Sequence, residues 1–242
     1  GEDLLDEARR VLDGVERLHT FAAQSARGQR GRLRLGKFTA QELFHDLPGA
    51  LRDFRQNHPN VDVRLIDSLR GSGGFAEDLL RGRLDIAFFS VPAPPELDVV
   101  ELMRIPFVAL VPATHPLASR RSVSLARLAA EDWVETPPGY GSRRQVERAL
   151  AARGLTRRVV AEISAVPGIP AYVAAEIGIS VIPEIIEPEG CAVLRVTDPI
   201  EPWTVSLATR RGGCARPLVG ALVEVLRSHV RPAHDSHRSR LS

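Results

Sequence analysis

The apolar positions of the chain follow three successive rhythms. Leu4, Ala8, Val11, Val15, Leu18 and Ala22 are spaced alternately by four and three, which is the seam of a coiled coil. That spacing predicts a helix reaching residue 26, with Asp6/Arg10 and Asp13/Arg17 as i,i+4 pairs beside the seam. The seam faces either a partner helix or the body of its own domain, and Gly28 and Gly31 end it. From Arg32 short apolar runs alternate with amphipathic stretches: Leu33–Gly36, a helix around Gln41–Gln56, Val61–Ile66, a helix around Phe75–Arg81, and Leu84–Phe89. Successive βαβ units of this kind predict a parallel sheet with right-handed crossovers. Pro48 falls inside the first helical stretch, where its missing N–H is expected to kink or restart the helix. Val91-Pro92-Ala93-Pro94-Pro95 is a loop, because it cannot continue a central strand.

A second series then predicts a second lobe: strands at Phe107–Val111, Trp133–Glu135, Val159–Ile163, Ile179–Ile182 and Val193–Val196, and helices at Leu125–Ala130, Arg143–Ala152 and Ala171–Ile177. One more strand, Thr204–Ala208, and one more helix, Pro217–Val230, follow, with Leu218, Leu222, Val225 and Leu226 as the apolar face of that helix. The polar residues 231–242 are expected to be disordered.

Composition narrows the function classes. The 242 residues suffice for one large or two small domains, and no apolar stretch reaches the roughly 20 residues that cross a bilayer. Gly1-Glu2-Asp3-Leu4-Leu5-Asp6-Glu7 is acidic where a secretory signal needs positive charge, and only Cys191 and Cys214 are present, so a reducing cytoplasm is expected. With 32 basic against 30 acidic residues, no strong field for a polyanion is implied.

Candidate chemistry thins out on inspection. Gly71-Ser72-Gly73-Gly74 could hold an anion but lacks the Gly-Lys-Ser/Thr ending of a nucleotide loop, and Gly139-Tyr140-Gly141 has Arg144 where a dinucleotide fingerprint needs its third glycine. Tight turns at strand-to-helix junctions account for both. None of His19, His45, His58, His115, His229, His234 and His237 has metal-ligand spacing, the cysteines form no Cys-x-x-Cys, and no Gly-x-Ser-x-Gly elbow occurs. No catalytic residue, metal or cofactor is expected, and the chain reads as something other than an enzyme.

Five motifs in order carry a resemblance: Leu33-Arg34-Leu35-Gly36; Leu47-Pro48 through Leu51 and Phe54 to His58-Pro59-x-Val61; Gly71 followed by Leu79-Leu80-x-Gly82-x-Leu84-Asp85-Ile86-Ala87; His115-Pro116-Leu117-Ala118; and Val173-Ala174-Ala175-x-x-Gly178-Ile179-Ser180-Val181-Ile182-Pro183. The chain resembles the linker helix and effector-binding part of LysR-type transcriptional regulators, without the winged helix-turn-helix that precedes them. The resemblance implies an α/β fold of two periplasmic-binding-protein-like lobes joined by two crossover strands, preceded by a long linker helix. It divides the chain into a dimerisation helix (1–31), lobe I (32–105 and 205–230), lobe II (106–204) and a tail (231–242). It also implies a small-molecule effector in the cleft and DNA reached only through the missing domain. The assembly it implies is a homodimer or homotetramer, paired through the seam and through the helix after Thr39 against the Pro170–Ile177 helix. A solute-binding protein of a transporter would share the fold, but the heptad helix argues against it. Glu176 departs from the family, which commonly has a small residue there.

Ligands of open α/β sheets bind beyond the carboxyl ends of strands, where helix N-termini point their amides. This rule and the resemblance together nominate Lys37, Phe38 and Thr39 after the first strand, Ser72 after the second, Ser90 closing the third, and Thr136, Pro137, Tyr140 and Val166 in the second lobe. Ser72 and Thr39 are equally suited to capping a helix. The aromatic and aliphatic groups with Lys37 and the helix ends suit a small carboxylate.

Overall fold

A computed structural model describes residues 31–39, 45–67, 71–164, 166–186 and 188–230. The heptad helix and residues 231–242 lie outside the described residues, as do residues 40–44 of the expected first helix. In chain order the elements of the first lobe are β1 (Gly31–Lys37), α1 (Leu47–Asn57), β2 (Val61–Asp67), α2 (Gly71–Leu80), β3 (Ile86–Phe89) and β4 (Leu97–Ile105). Those of the second are β5 (Phe107–Pro112), β6 (Ser122–Val123), α3 (Leu125–Leu128), β7 (Asp132–Glu135), α4 (Gly141–Ala151), β8 (Arg158–Glu162), a 3-10 turn (Val166–Gly168) leading into α5 (Ile169–Ala174), β9 (Ser180–Pro183) and β10 (Cys191–Val196). The chain then returns through β11 (Trp203–Arg210) and α6 (Pro217–Ser228).

The first sheet runs β2-β1-β3-β11-β4. β1 is parallel to β2 and β3, as the βαβ pattern predicts, whereas β11 is antiparallel to both β3 and β4. β4 was not visible in the hydrophobic pattern. It is an edge strand carrying Asp98, Glu101 and Arg104, with Leu97 and Ile105 as its buried ends, and charge on an edge strand blocks pairing with other chains while erasing the apolar signal. The second sheet runs β6-β10-β5-β9, with β5 antiparallel to both neighbours, and β7 and β8 form a separate parallel pair. Trp133 of β7 bridges to Ile179. Two passages join the lobes, Ile105-Pro106-Phe107 and the segment from Val196 to Trp203.

Both faces of the central strands are buried, so their side chains alternate between two cores. Ile86 and Phe88 of β3 join Leu33, Leu35, Phe54, Leu207 and Leu222 under α1 and α6, while Ala87 and Phe89 join Phe75, Leu79 and Leu97 under α2. In β5, Ala109 and Val111 share a core with Trp133 and Val146, and Val108 and Leu110 share another with Ile169 and Val173.

Several local expectations are corrected. Pro48 marks a helix start, the second of its two expected effects, rather than a kink: it stands in the first turn of α1, where no N–H is needed, and the Asp46 side chain accepts from Gly49 N–H. α2 begins at Gly71, not Phe75, so the glycine cluster is helical. His45 is not helical: it is fully buried, bridges to Val230, and its Nε2 donates to Leu226 O at 2.7 Å. The face of α6 turned fully inward is Val219, Leu222, Val223 and Leu226, with Leu218 and Val225 at its margins. α5 stops at Ala174 because Glu176 has φ +62°, the left-handed region. That backbone explains why a small residue suits this position.

Candidate functional site in the cleft between the lobes

The carboxyl ends of β1 and β3 and the start of α2 face the loops after β7 and β8 across a cavity of about 50 Å³. Its walls are Phe38, Thr39, Gly71, Ser72, Ser90 and Trp203 on one side, and Tyr140, Gly141, Ser142, Ser164, Val166, Pro167 and Ile185 on the other. Six of the nominated residues therefore line one cavity: Phe38, Thr39, Ser72, Ser90, Tyr140 and Val166. Lys37, Thr136 and Pro137 do not. Lys37 pairs with Asp67 at 3.2 Å. Thr136 is buried behind the loop, its N–H donating to Glu135 and its carbonyl accepting from Arg143.

Each lining group is held by its own lobe. Ser90 N–H donates to Ser72 Oγ at 3.0 Å and the two hydroxyls lie 3.1 Å apart, so Ser72 ties α2 to the end of β3. Phe38 packs against Phe75, Phe88 and Trp203, with ring centroids 5.7–6.5 Å apart, and forms the aromatic floor. Tyr140 donates its hydroxyl to Ser164 O at 2.8 Å, joining the loops after β7 and β8. Burial pushes the Tyr140 phenol up, so it remains a neutral donor.

Glycine lets the lobes meet. A Cβ at Gly141 would overlap the Oγ and carbonyl oxygen of Ser90 on the opposite lobe, and one at Gly71, where φ is +58°, would lie 3.2 Å from Gly139 O.

Behind the second-lobe loop lies a buried ion network. Glu135 Oε2 accepts from Arg157 Nη2 at 2.8 Å, with both side chains under one-tenth exposed. Arg157 also sits over the Trp133 ring, 5.3 Å from its centroid. Arg143 bonds Thr136 O, Glu162 and Glu147 at 2.6–2.7 Å. Burial pushes the Glu135 carboxyl up, against the pull of Arg157. None of these charged residues lines the cavity, and no lining residue among the described ones is charged.

Sequence reasoning missed Ser142, Pro167, Ile185 and Trp203. Trp203 begins a strand rather than ending one, so the strand-end rule passes over it; Ile185 lies just beyond the carboxyl end of β9, a strand end that was not nominated, and Ser142 lies in the first turn of the helix after the loop that the rule marks.

A second, more polar hollow of about 510 Å³ lies in the second lobe beside Thr114, His115, Glu131, Asp132 and Glu176. Its carboxylates are already engaged: Glu131 with Arg127, Asp132 with Arg158, and Glu176 with the Thr114 hydroxyl. Both cysteines are free thiols, and burial pushes Cys191 up, away from reactivity.

Known proteins share this architecture. The effector-binding domain of QuiR, solved in complex with shikimate, superposes with a TM-score of 0.73 at 20% identity, over 83% of this chain and 97% of that one. The effector-binding domain of BenM with its effector benzoate superposes with a TM-score of 0.65 at 24% identity, over 82% and 91%. In sequence, the RuBisCO operon transcriptional regulator of Allochromatium vinosum is 30% identical over 240 residues, covering 97% of this chain and 78% of the relative. Such relatives do not favour a transporter's solute-binding protein. The family model of the LysR substrate binding domain matches residues 26–231, and the chain belongs to that family, the effector-binding domain of LysR-type transcriptional regulators.

Proposed function

We propose that this domain senses a small carboxylate in the cavity between its lobes and passes that signal to DNA through a separate DNA-binding domain, in the cytoplasm and without catalysing a reaction. One observation carries the reading: residues of both lobes converge on one cavity that offers aromatic surface, hydroxyls and two helix N-termini, with no charged group and no nucleophile-and-base pair among the described lining residues. The relatives solved with shikimate and benzoate bind carboxylic acids at domains of this fold. The lobe limits that accompany this reading are 32–105 with 205–230, and 106–204.

Signal transmission requires that the effector bind two arrangements of the domain unequally. We place the moving contact in a dimer, pairing the region of α1 from one subunit with α5 of the other. Tyr172 and Ile177, 44% and 46% exposed, supply apolar surface at and just beyond α5, and Leu65 does so on the edge strand β2. Sedimentation as a concentration-independent monomer would remove the dimer.

The test of the site is calorimetry with a carboxylate recovered from the purified protein or from a screen. Ser72→Ala is expected to weaken binding by about 1–3 kcal/mol, because it removes a hydroxyl from the wall and the partner of Ser90 N–H. Unchanged affinity would take Ser72 out of the site, and failure of every carboxylate to bind would end the reading.

A further inference from the structure

The loop that carries Tyr140 to the cavity is anchored at both ends and untied between them. Thr136 is buried, with its carbonyl accepting from Arg143, and Gly141 packs so closely on Ser90 that a Cβ would overlap it. Between these anchors Pro138 and Gly139 are exposed and make no hydrogen bond to any described residue. Pro137 and Pro138 fix their own φ, so rotation is concentrated at Gly139, which stands at φ +97°. Tyr140 follows that glycine. Its ring lines the cavity, while its hydroxyl donates at the protein surface to Ser164 O at 2.8 Å. The side chain thus reaches from the lining to solvent and bridges the loops after β7 and β8. Toward the first lobe the same stretch only touches: a Cβ at Gly71 would lie 3.2 Å from Gly139 O and 3.6 Å from Tyr140 Cα, and no hydrogen bond crosses there among the described residues. One neutral, water-exposed hydrogen bond is therefore the polar tie on the ring, and such bonds are weak in net terms.

We propose that Tyr140 is the latch of a gate: its ring closes the opening between the loops after β7 and β8, and breaking its bond to Ser164 O lets it swing about Gly139 and admit a small molecule to the cavity. That the admitted molecule is the effector rests on the function proposed above; the gate itself rests on the loop. The Tyr140 hydroxyl is committed outward, to Ser164 O, which suits a latch rather than a donor to the ligand. Tyr140 then governs how fast the cavity fills and empties.

The test needs no effector. Of the two tryptophans, Trp203 lines the cavity and Trp133 is wholly buried in the second-lobe core. Acrylamide, a small neutral quencher, reaches Trp203 through the gate, so quenching of Trp203 fluorescence in a Trp133→Phe background reads the opening directly. Tyr140→Phe keeps the ring and removes the latch, and should raise the quenching rate constant about fivefold, the population shift that losing one neutral hydrogen bond gives. Tyr140→Ala, which removes the ring, should raise it further. With Trp133 retained, the same rise should appear in the accessible part of the emission alone, the part from Trp133 staying unquenched because the fold is intact. The proposal is overturned if Tyr140→Phe leaves quenching as it was, if Tyr140→Ala adds nothing, or if Trp203 is quenched at the full rate with Tyr140 in place. Its failure is separable from that of the effector reading. Quenching as expected with no carboxylate bound keeps the gate and removes the sensor, whereas a bound carboxylate with quenching unchanged in Tyr140→Phe keeps the sensor and removes the gate.

Discussion

Among the described residues the two lobes place their buried carboxylates at opposite ends of their strands. In the first lobe the buried carboxylate is Asp85, just before β3, at the end away from Ser90 and the cavity. It accepts from Arg34 N–H at 2.9 Å, Arg34 Nε at 3.1 Å and Arg216 Nη1 at 2.9 Å, and so ties β1, β3 and the start of α6 together. In the second lobe the buried carboxylate is Glu135, the last residue of β7, directly behind the loop that forms the cavity wall. Charge in the first lobe closes the fold far from the cavity, while charge in the second braces a loop of the cavity wall. Among the described residues the cavity receives neutral groups from both lobes.

Breaking the second brace should cost most. Arg157→Gln leaves the buried Glu135 carboxyl without the guanidinium that bonds it at 2.8 Å. A loss of about 3 kcal/mol in denaturant unfolding is expected, together with weakened effector binding, since the loop at Thr136–Gly141 rests on this network. Retained affinity at full occupancy would separate the brace from the site.

Asp85→Asn should cost less, about 2 kcal/mol, because Arg34 and Arg216 are 37% and 57% exposed and water replaces part of what they lose. It should leave effector affinity unchanged. The two carboxylates also differ in sign with pH. Burial pushes Asp85 up, but the bonds from Arg34 and Arg216 outweigh it and hold it below the usual carboxylate range. Its contribution is therefore present above the unfolded pKa of about 3.9 and is lost as pH falls through the lower folded value, so the gap between wild type and Asp85→Asn should close in acid. Glu135, raised in the fold, acts oppositely, and its contribution falls as pH rises through the folded value. Stability curves from pH 3 to 7 on Asp85→Asn and Glu135→Gln test this contrast.

Gly141→Ala sharpens the comparison at the seam. The added methyl meets Ser90 of the other lobe, and a cost of about 1–2 kcal/mol is expected, relieved by opening of the lobes and visible as a larger radius of gyration in solution scattering. Gly73→Ala, which meets nothing within 4 Å and lies inside α2, should instead be neutral or stabilising. The smallest effect is expected at Glu176→Gly. It relieves a left-handed backbone but surrenders the bond from Thr114 Oγ1 at 2.6 Å, for a net gain of up to ~1 kcal/mol in thermal unfolding.

Much of this molecule was legible in one dimension. The period-two and period-3.6 runs located β1, β2, β3, β5 and α4, because their buried faces are unbroken and periodicity records burial directly. The rule that ligands sit beyond strand carboxyl ends brought six nominated residues to one cavity, because it follows from helix N-termini and chain reversal, which local sequence specifies. What local sequence could not specify is anything that depends on a distant neighbour. β4 is an edge strand whose charges mask its period, and only its pairing with β11, about a hundred residues later, makes it a strand. Lys37 and Thr136 sit at the right strand ends, yet Asp67 and the Glu135–Arg143 network turn them from the cavity. Trp203 and Ser142 enter the site through packing between elements that no spacing links. Periodicity determined which residues are inside; tertiary structure decided which polar groups find partners and which are left facing the cavity, because hydrogen-bond satisfaction is a property of the assembled neighbourhood.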